Sequence, residues 1–284
     1  MITKQSVIGI IGLGVLGGSY AQALSGAGYQ SVIGVDIDPD TVSYALEQHW
    51  ITAGDTDASC IRNCDLVISC LYPGVFVNWV RENRSCFKPG MLLSDVTGVK
   101  RAVIDRVNSL LDETVEFIAC HPMAGRESKG IHFADAKRFQ NANFIIVPTA
   151  DSTADAVETM RMLAQDMGFR RISCLTAEEH DRMISYLSQL THVIAVSLMN
   201  ANANPDLAEY TGDSFRDLTR IARINEDMWP ELFALNKDYL LEDIDAFTAE
   251  LLRFRQMISS EDIEGMKQKL IESTRRRTQF DKEA

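Results

Sequence analysis

Through the first 175 positions, apolar residues come in short, nearly unbroken runs, and stretches with helical spacing separate many of them. Ser6 to Ile11 reads as a strand and Val15 to Ala27 as a helix. Further strands are predicted at Ser31 to Val35, Asp65 to Cys70, Met91 to Ser94, Val115 to Cys120, Asn143 to Val147 and Arg171 to Leu175. Helices are predicted at Pro39 to Gln48, Gly74 to Asn83, Arg101 to Leu111 and Ala154 to Met167. Pro39 sits near a first turn, and Gly168 ends the last of these helices. Leu66-Val67-Ile68 is apolar at every position, as a parallel strand covered on both faces requires. Repeated strand-helix units of this kind predict a doubly wound parallel sheet with right-handed crossovers.

Near Thr176 the pattern changes, and almost no strand signal follows. Thr176 and Glu179 have the spacing of a capping box, and a long helix is predicted from there to about Asn202, before Pro205. Further helices are expected near Asp217 to Ile224, Pro230 to Ser259 and Glu261 to Arg277. Long helices with little polar linker between them point to a helical surface buried against a second copy of the chain. The division predicted is residues 1–175 for the sheet domain and 176–284 for the helical domain.

Composition narrows the partners. A formal net charge of −12 argues against nucleic acid or an anionic membrane. No apolar run reaches the length of a membrane span, and the N-terminus enters the first strand without room for a signal peptide, so a cytoplasmic protein is expected. The six cysteines fit reduced core thiols; Cys60 and Cys64 have no second pair at zinc spacing, so no metal is expected.

The turn after the first strand carries Gly12-Leu13-Gly14-Val15-Leu16-Gly17, and the second strand ends in Asp36, about 20 residues on. Strand, G-x-G-x-x-G, helix, strand, acid is the order of a dinucleotide site. Gly12 allows the tight turn, Gly14 lets backbone approach a pyrophosphate, and Gly17 lets helix and strand pack closely. Asp36 would accept hydrogen bonds from the adenosine ribose and repel a 2′-phosphate, which favours NAD over NADP.

A dinucleotide site does not name the substrate. His121 follows a predicted strand directly, at the end of the sheet that faces the ligand crevice. It suits a base that takes a hydroxyl proton while a hydride leaves the same carbon, or a packing histidine. Asp217 and Arg220 are spaced for a local ion pair, while Arg220 alone suits a fork for a substrate carboxylate.

Three runs carry a resemblance: Asp95-Val96-Thr97-Gly98-Val99-Lys100, His121-Pro122-Met123-Ala124-Gly125, and Phe215-Arg216-Asp217-Leu218-Thr219-Arg220-Ile221-Ala222 leading to Met228-Trp229. In this order they resemble the prephenate/arogenate dehydrogenases of tyrosine biosynthesis, over nearly the whole chain. The resemblance implies an α/β Rossmann-type doubly wound parallel sheet followed by an all-α helical dimerisation domain, in a monofunctional form. It implies oxidative decarboxylation of prephenate to 4-hydroxyphenylpyruvate, with hydride transfer to NAD, by a homodimer. His121 matches the catalytic histidine and Arg220 the arginine that binds a substrate carboxylate. His192 and Trp229 match positions near the substrate side chain. Glu127 and Asp217 match acids of the pocket and its gating. Many relatives carry a serine where this chain has Gly98, which leaves Thr97 or a water to supply that hydroxyl. The same layout fits an arogenate or dual-specificity cyclohexadienyl dehydrogenase, or a 4-amino-4-deoxyprephenate dehydrogenase. A non-catalytic dinucleotide sensor is the rival from another class.

Overall fold

The structure, a computed structural model, describes residues 2–125 and 128–280. Eight strands form one sheet: β1 (Val7–Ile11), β2 (Ser31–Val35), β3 (Ala53–Asp55), β4 (Leu66–Ser69), β5 (Leu92–Asp95), β6 (Glu116–Pro122), β7 (Asn143–Val147) and β8 (Arg171–Cys174). Their order is β3-β2-β1-β4-β5-β6-β7-β8. The order reverses between β1 and β4, and a ligand crevice opens beyond the carboxyl ends of strands at such a point. The helices among them are α1 (Val15–Gly26), α2 (Pro39–Glu47), α3 (Pro73–Asn83), α4 (Arg101–Asn108) and α5 (Ala154–Asp166).

Side chains of successive strand residues leave the sheet on opposite faces. Leu66, Ile68, Ile118 and Cys120 join one buried cluster, with Tyr20 and Phe144. Val67, Leu93, Phe117 and Ala119 join the other, with Phe76 and Val103. Both faces are therefore covered, which is why these strands read as unbroken apolar runs.

The parallel expectation fails at the last two strands. β7 is antiparallel to β6, and β8 runs parallel to β7. Between β6 and β7 the described chain makes only short 3₁₀ turns, at Ile131–Phe133 and Ala136–Phe139. With no helix to carry the chain back along the sheet, the next strand enters at the end where the last one finished. β3 was not predicted. It is a three-residue edge strand, Ala-Gly-Asp, with no apolar run to announce it. Cys174 also departs from the reading of core thiols. It is exposed at the end of the edge strand β8, and all six cysteines are free.

Gly12 has a φ of +81°, a region other residues rarely adopt, and starts the turn into α1. A Cβ on Gly17 would lie 1.8 Å from the carbonyl oxygen of Gly12. Gly17→Ala must push α1 off the sheet. It is expected to cost about 3 kcal/mol or more, read as a drop in the denaturant midpoint, with weakened dinucleotide binding.

The helical part follows as α6 (Ala177–Ile184), α7 (Leu190–Asn200), α8 (Asp213–Thr219), α9 (Trp229–Leu235), α10 (Lys237–Ser259) and α11 (Ile263–Arg277). The capping box forms at Thr176 and Glu179. A π-helical turn at Ser185–Gln189 joins α6 to α7 within the predicted long helix. The helix predicted at Asp217 to Ile224 starts earlier and ends at Thr219, and Arg220–Ala222 forms a 3₁₀ turn. The run predicted as one helix from Pro230 breaks at Asn236, whose buried amide donates to the Asp181 carbonyl and to the Gln189 side chain. The chain forms two compact units, Met1–Asn236 and Lys237–Ala284. In the second unit Asp262 caps α11, and Lys269 pairs with Glu250 of α10 at 2.7 Å.

Candidate active site

A cavity of about 1120 Å³ opens at the carboxyl ends of the strands. Gly12 and Gly14 line it from the turn after β1, Asp36 from the end of β2, Gly98 from the loop after β5 and His121 from β6. His192, Arg220 and Trp229 line it from the helical part. Residues far apart in sequence thus share one space.

The dinucleotide end has the features expected of it. No side chain caps the N-terminus of α1 at Gly14, and nothing lies within 4 Å of the place a Cβ on Gly14 would take. Backbone N–H groups at a helix start beside open space suit a pyrophosphate. Asp36 accepts the Leu13 N–H at 2.7 Å and the Asp38 N–H at 3.0 Å, which ties the acid to the glycine turn. These residues fit a dinucleotide.

His121 is the second-last residue of β6 rather than the first residue after it. Its Nδ1 lies 2.8 Å from His180 Nε2, and His180 Nδ1 lies 2.8 Å from Asp181 Oδ1. The Asp181 carboxylate also accepts the backbone N–H of Lys100 at 2.8 Å and of Arg101 at 2.9 Å, at the start of α4. Burial would raise the Asp181 carboxyl, but the hydrogen bonds from His180 and these backbone groups hold it below the ordinary carboxylate value. Burial lowers His180, and burial together with His180 and Lys100 pushes His121 well below the usual imidazole value. Both rings are therefore neutral at pH 7.

Beneath them lies a buried ion pair. Lys100 Nζ contacts both Asp95 oxygens, at 2.9 and 2.8 Å, and donates to the Cys120 carbonyl. Asp95 Oδ1 accepts the Cys120 N–H at 3.2 Å. The residue before His121 is thus clamped through both of its backbone polar groups. A buried pair of this kind is costly to break, because removing one partner strands the other charge.

Thr97 is turned away from the cavity. Its hydroxyl contacts Asp95 and the Val99 carbonyl, the side chain is buried, and it does not line the cavity. The loop turns Thr97 towards Asp95 and leaves Gly98 on the cavity side. A Cβ at position 98 would lie 4.0 Å from His121 Cε1.

At the other end of the cavity the His192 and Trp229 rings pack with centroids 3.8 Å apart and planes tilted by 32°, and His192 Nδ1 donates to the Ser188 carbonyl at 2.8 Å. The π-helical turn sets this geometry, since it carries Ser188 and Gln189 to the cavity just before His192. Arg220 lines the cavity from the 3₁₀ turn after α8. Asp217 is exposed on α8 and does not line it. Glu127 lies outside the described residues. His180, Asp181 and Lys100 were not predicted as site residues. The signal was present in a histidine and an aspartate placed in the first turns of α6, one helical turn before the apolar Ile184.

A dinucleotide-type crevice that shares its cavity with an imidazole and an arginine is the layout of an oxidoreductase. The family description "Prephenate dehydrogenase, nucleotide-binding domain" matches residues 20–173, and "Prephenate dehydrogenase, dimerization domain" matches residues 176–272. The chain belongs to the prephenate dehydrogenase family. It is 28% identical over 274 residues to a prephenate dehydrogenase of Bacillus subtilis, covering 94% of this chain and 74% of the relative. It is 29% identical over 265 residues to a cyclohexadienyl dehydrogenase of Zymomonas mobilis, covering 90% and 89%. A crystal structure of the Aquifex aeolicus prephenate dehydrogenase, in complex with hydroxyphenyl propionate and NAD⁺, superposes with a TM-score of 0.90. It is 25% identical and covers 99% of each chain.

Proposed function

We propose that the protein is an NAD-dependent prephenate dehydrogenase that converts prephenate to 4-hydroxyphenylpyruvate and CO₂. The observation that carries this reading is a neutral imidazole, His121, in one cavity with the glycine turn, Asp36 and Arg220. NAD, when bound, supplies the acceptor for the hydride. His121 takes the proton from the ring hydroxyl as the hydride leaves the same carbon. Loss of CO₂ then sends its electron pair into the ring, and the ring oxygen takes a proton back, so the histidine ends neutral. Arg220 grips a substrate carboxylate, and the packed His192 and Trp229 rings flank the side chain. A prephenate dehydrogenase holding NAD⁺ and a hydroxyphenyl acid on the same fold supports both cofactor and substrate class.

In this reading residues 1–175 hold the cofactor, and residues 176–284 complete the substrate site and pair two copies in the cytoplasm. Support for the homodimer comes from the matched dimerization domain and from exposed Leu251, Leu252, Leu270 and Ile271 on α10 and α11. A steady-state assay of prephenate and arogenate, each with NAD⁺ and NADP⁺, tests the substrate. Prephenate with NAD⁺ is expected to give the highest kcat/KM. A higher value with arogenate would replace this reading with the second one, which the cyclohexadienyl dehydrogenase relative supports.

Asp36→Asn is expected to narrow the preference for NAD⁺ over NADP⁺ by about tenfold, since removing one charge at a partly solvated site is worth roughly 1–2 kcal/mol. The amide keeps an oxygen for the Leu13 N–H, so the turn survives. Equal kcat/KM for both cofactors in the unmodified protein would remove this role from Asp36.

A further inference from the structure

The chain of contacts from His121 to Asp181 fixes which nitrogen of His121 carries its proton. Asp181 is held as a carboxylate by two backbone N–H groups at the start of α4, so it can only accept from its neighbours. His180 must then carry its hydrogen on Nδ1, where it faces Asp181 Oδ1. That leaves a lone pair on His180 Nε2. His121 Nδ1, 2.8 Å away, must be the donor. The basic lone pair of His121 is thereby placed on Nε2. His180 and Asp181 are 0% and 1% exposed at the side chain, so water does not compete for these bonds.

We propose, on the reading of His121 as the base, that His180 and Asp181 are its positioning residues. They hold the imidazole in the tautomer that can accept the substrate proton. When Nε2 takes that proton, the Nδ1–H bond to His180 strengthens, and the carboxylate two groups away stabilises the positive charge. No proton leaves the chain of three, and the ring oxygen of the product takes the Nε2 proton back. Thr97 plays no part in this relay, since its hydroxyl serves the Asp95–Lys100 pair.

The test has two arms. In the first, the unmodified protein is labelled with ¹⁵N-histidine, and the His121 ring is assigned by the signal that His121→Asn removes. At neutral pH, His121 is expected to show a protonated Nδ1 and an unprotonated Nε2, without any substrate. The opposite tautomer overturns the proposal even if His180→Leu fails to fold. In the second arm, His180→Leu is expected to lower kcat by about 10–100-fold, as slight misplacement of a reacting group does, with KM for prephenate and Kd for NAD⁺ within twofold. A folded variant with unchanged kcat overturns the proposal, as does a loss of kcat that merely follows a loss of cofactor binding. If the protein turns over no prephenate, the proposed function fails, while the tautomer measurement still reads the relay on its own.

Discussion

His121→Asn is expected to lower kcat by about 10²–10⁴-fold, the usual worth of a positioned general base. Cofactor binding should hold within twofold, because the glycine turn and Asp36 belong to other strands. A variant that keeps most of its kcat rules out the role. The pH profile gives a second reading of the same group. His121 is pushed well below 6.5, by burial first and then by His180 and Lys100. The acid limb of kcat should therefore fall at a pH below the ordinary histidine value. Stability moves in the same sense. Between the lowered native values and 6.5 the unfolded chain binds protons that buried His121 and His180 refuse. Their contribution is complete above that window and is lost as pH falls through it. Thermal melts at neutral and mildly acid pH should show the drop.

Arg220→Ala is expected to raise KM for prephenate by about 30- to 3000-fold, the equivalent of 2–5 kcal/mol for a charge-assisted pair that loses one partner. Kd for NAD⁺ should barely change. Arg220→Lys should recover only part of the loss, since an ammonium keeps the charge but not the two-pronged geometry. The competing view has Arg220 serve only a local pair with Asp217, which predicts a normal KM and a stability change of a few tenths of a kcal/mol. Arg220 lines the cavity and Asp217 does not, which speaks for the first outcome. KM and melting temperature measured on one preparation separate the two.

The parts of this molecule legible in sequence are those governed by local rules. The glycine turn, Asp36, the capping box at Thr176 and the apolar strands follow from backbone geometry and periodicity within a few residues. The reversal of β7 was hidden because an apolar run looks the same in either direction, and only the link before it distinguishes them. The helix break at Asn236 was hidden for another reason. Nothing near it in sequence stops a helix, and its amide is claimed by Asp181 and Gln189 from distant α6 and the turn after it. The site divides along the same line. His121 and Arg220 stood out in motifs, whereas His180 was passed over, because only the fold brings it against His121. Thr97 and Gly98 show the limit most plainly. Neighbours in sequence, they face opposite sides of one loop, and residue spacing does not say which faces the ring.

The reversed strand has a consequence for how firmly the site end of β6 is held. β5 ends opposite Ala119, so Cys120, His121 and Pro122 project beyond it. β7, running the other way, pairs with all three, placing Ile145 beside His121 and Phe144 beside Pro122. A strand end left overhanging would fray on its own; here it belongs to the sheet's cooperative unit. Native-state hydrogen exchange should find the amides of Cys120 and His121 opening only with the sheet, at free energies close to global unfolding.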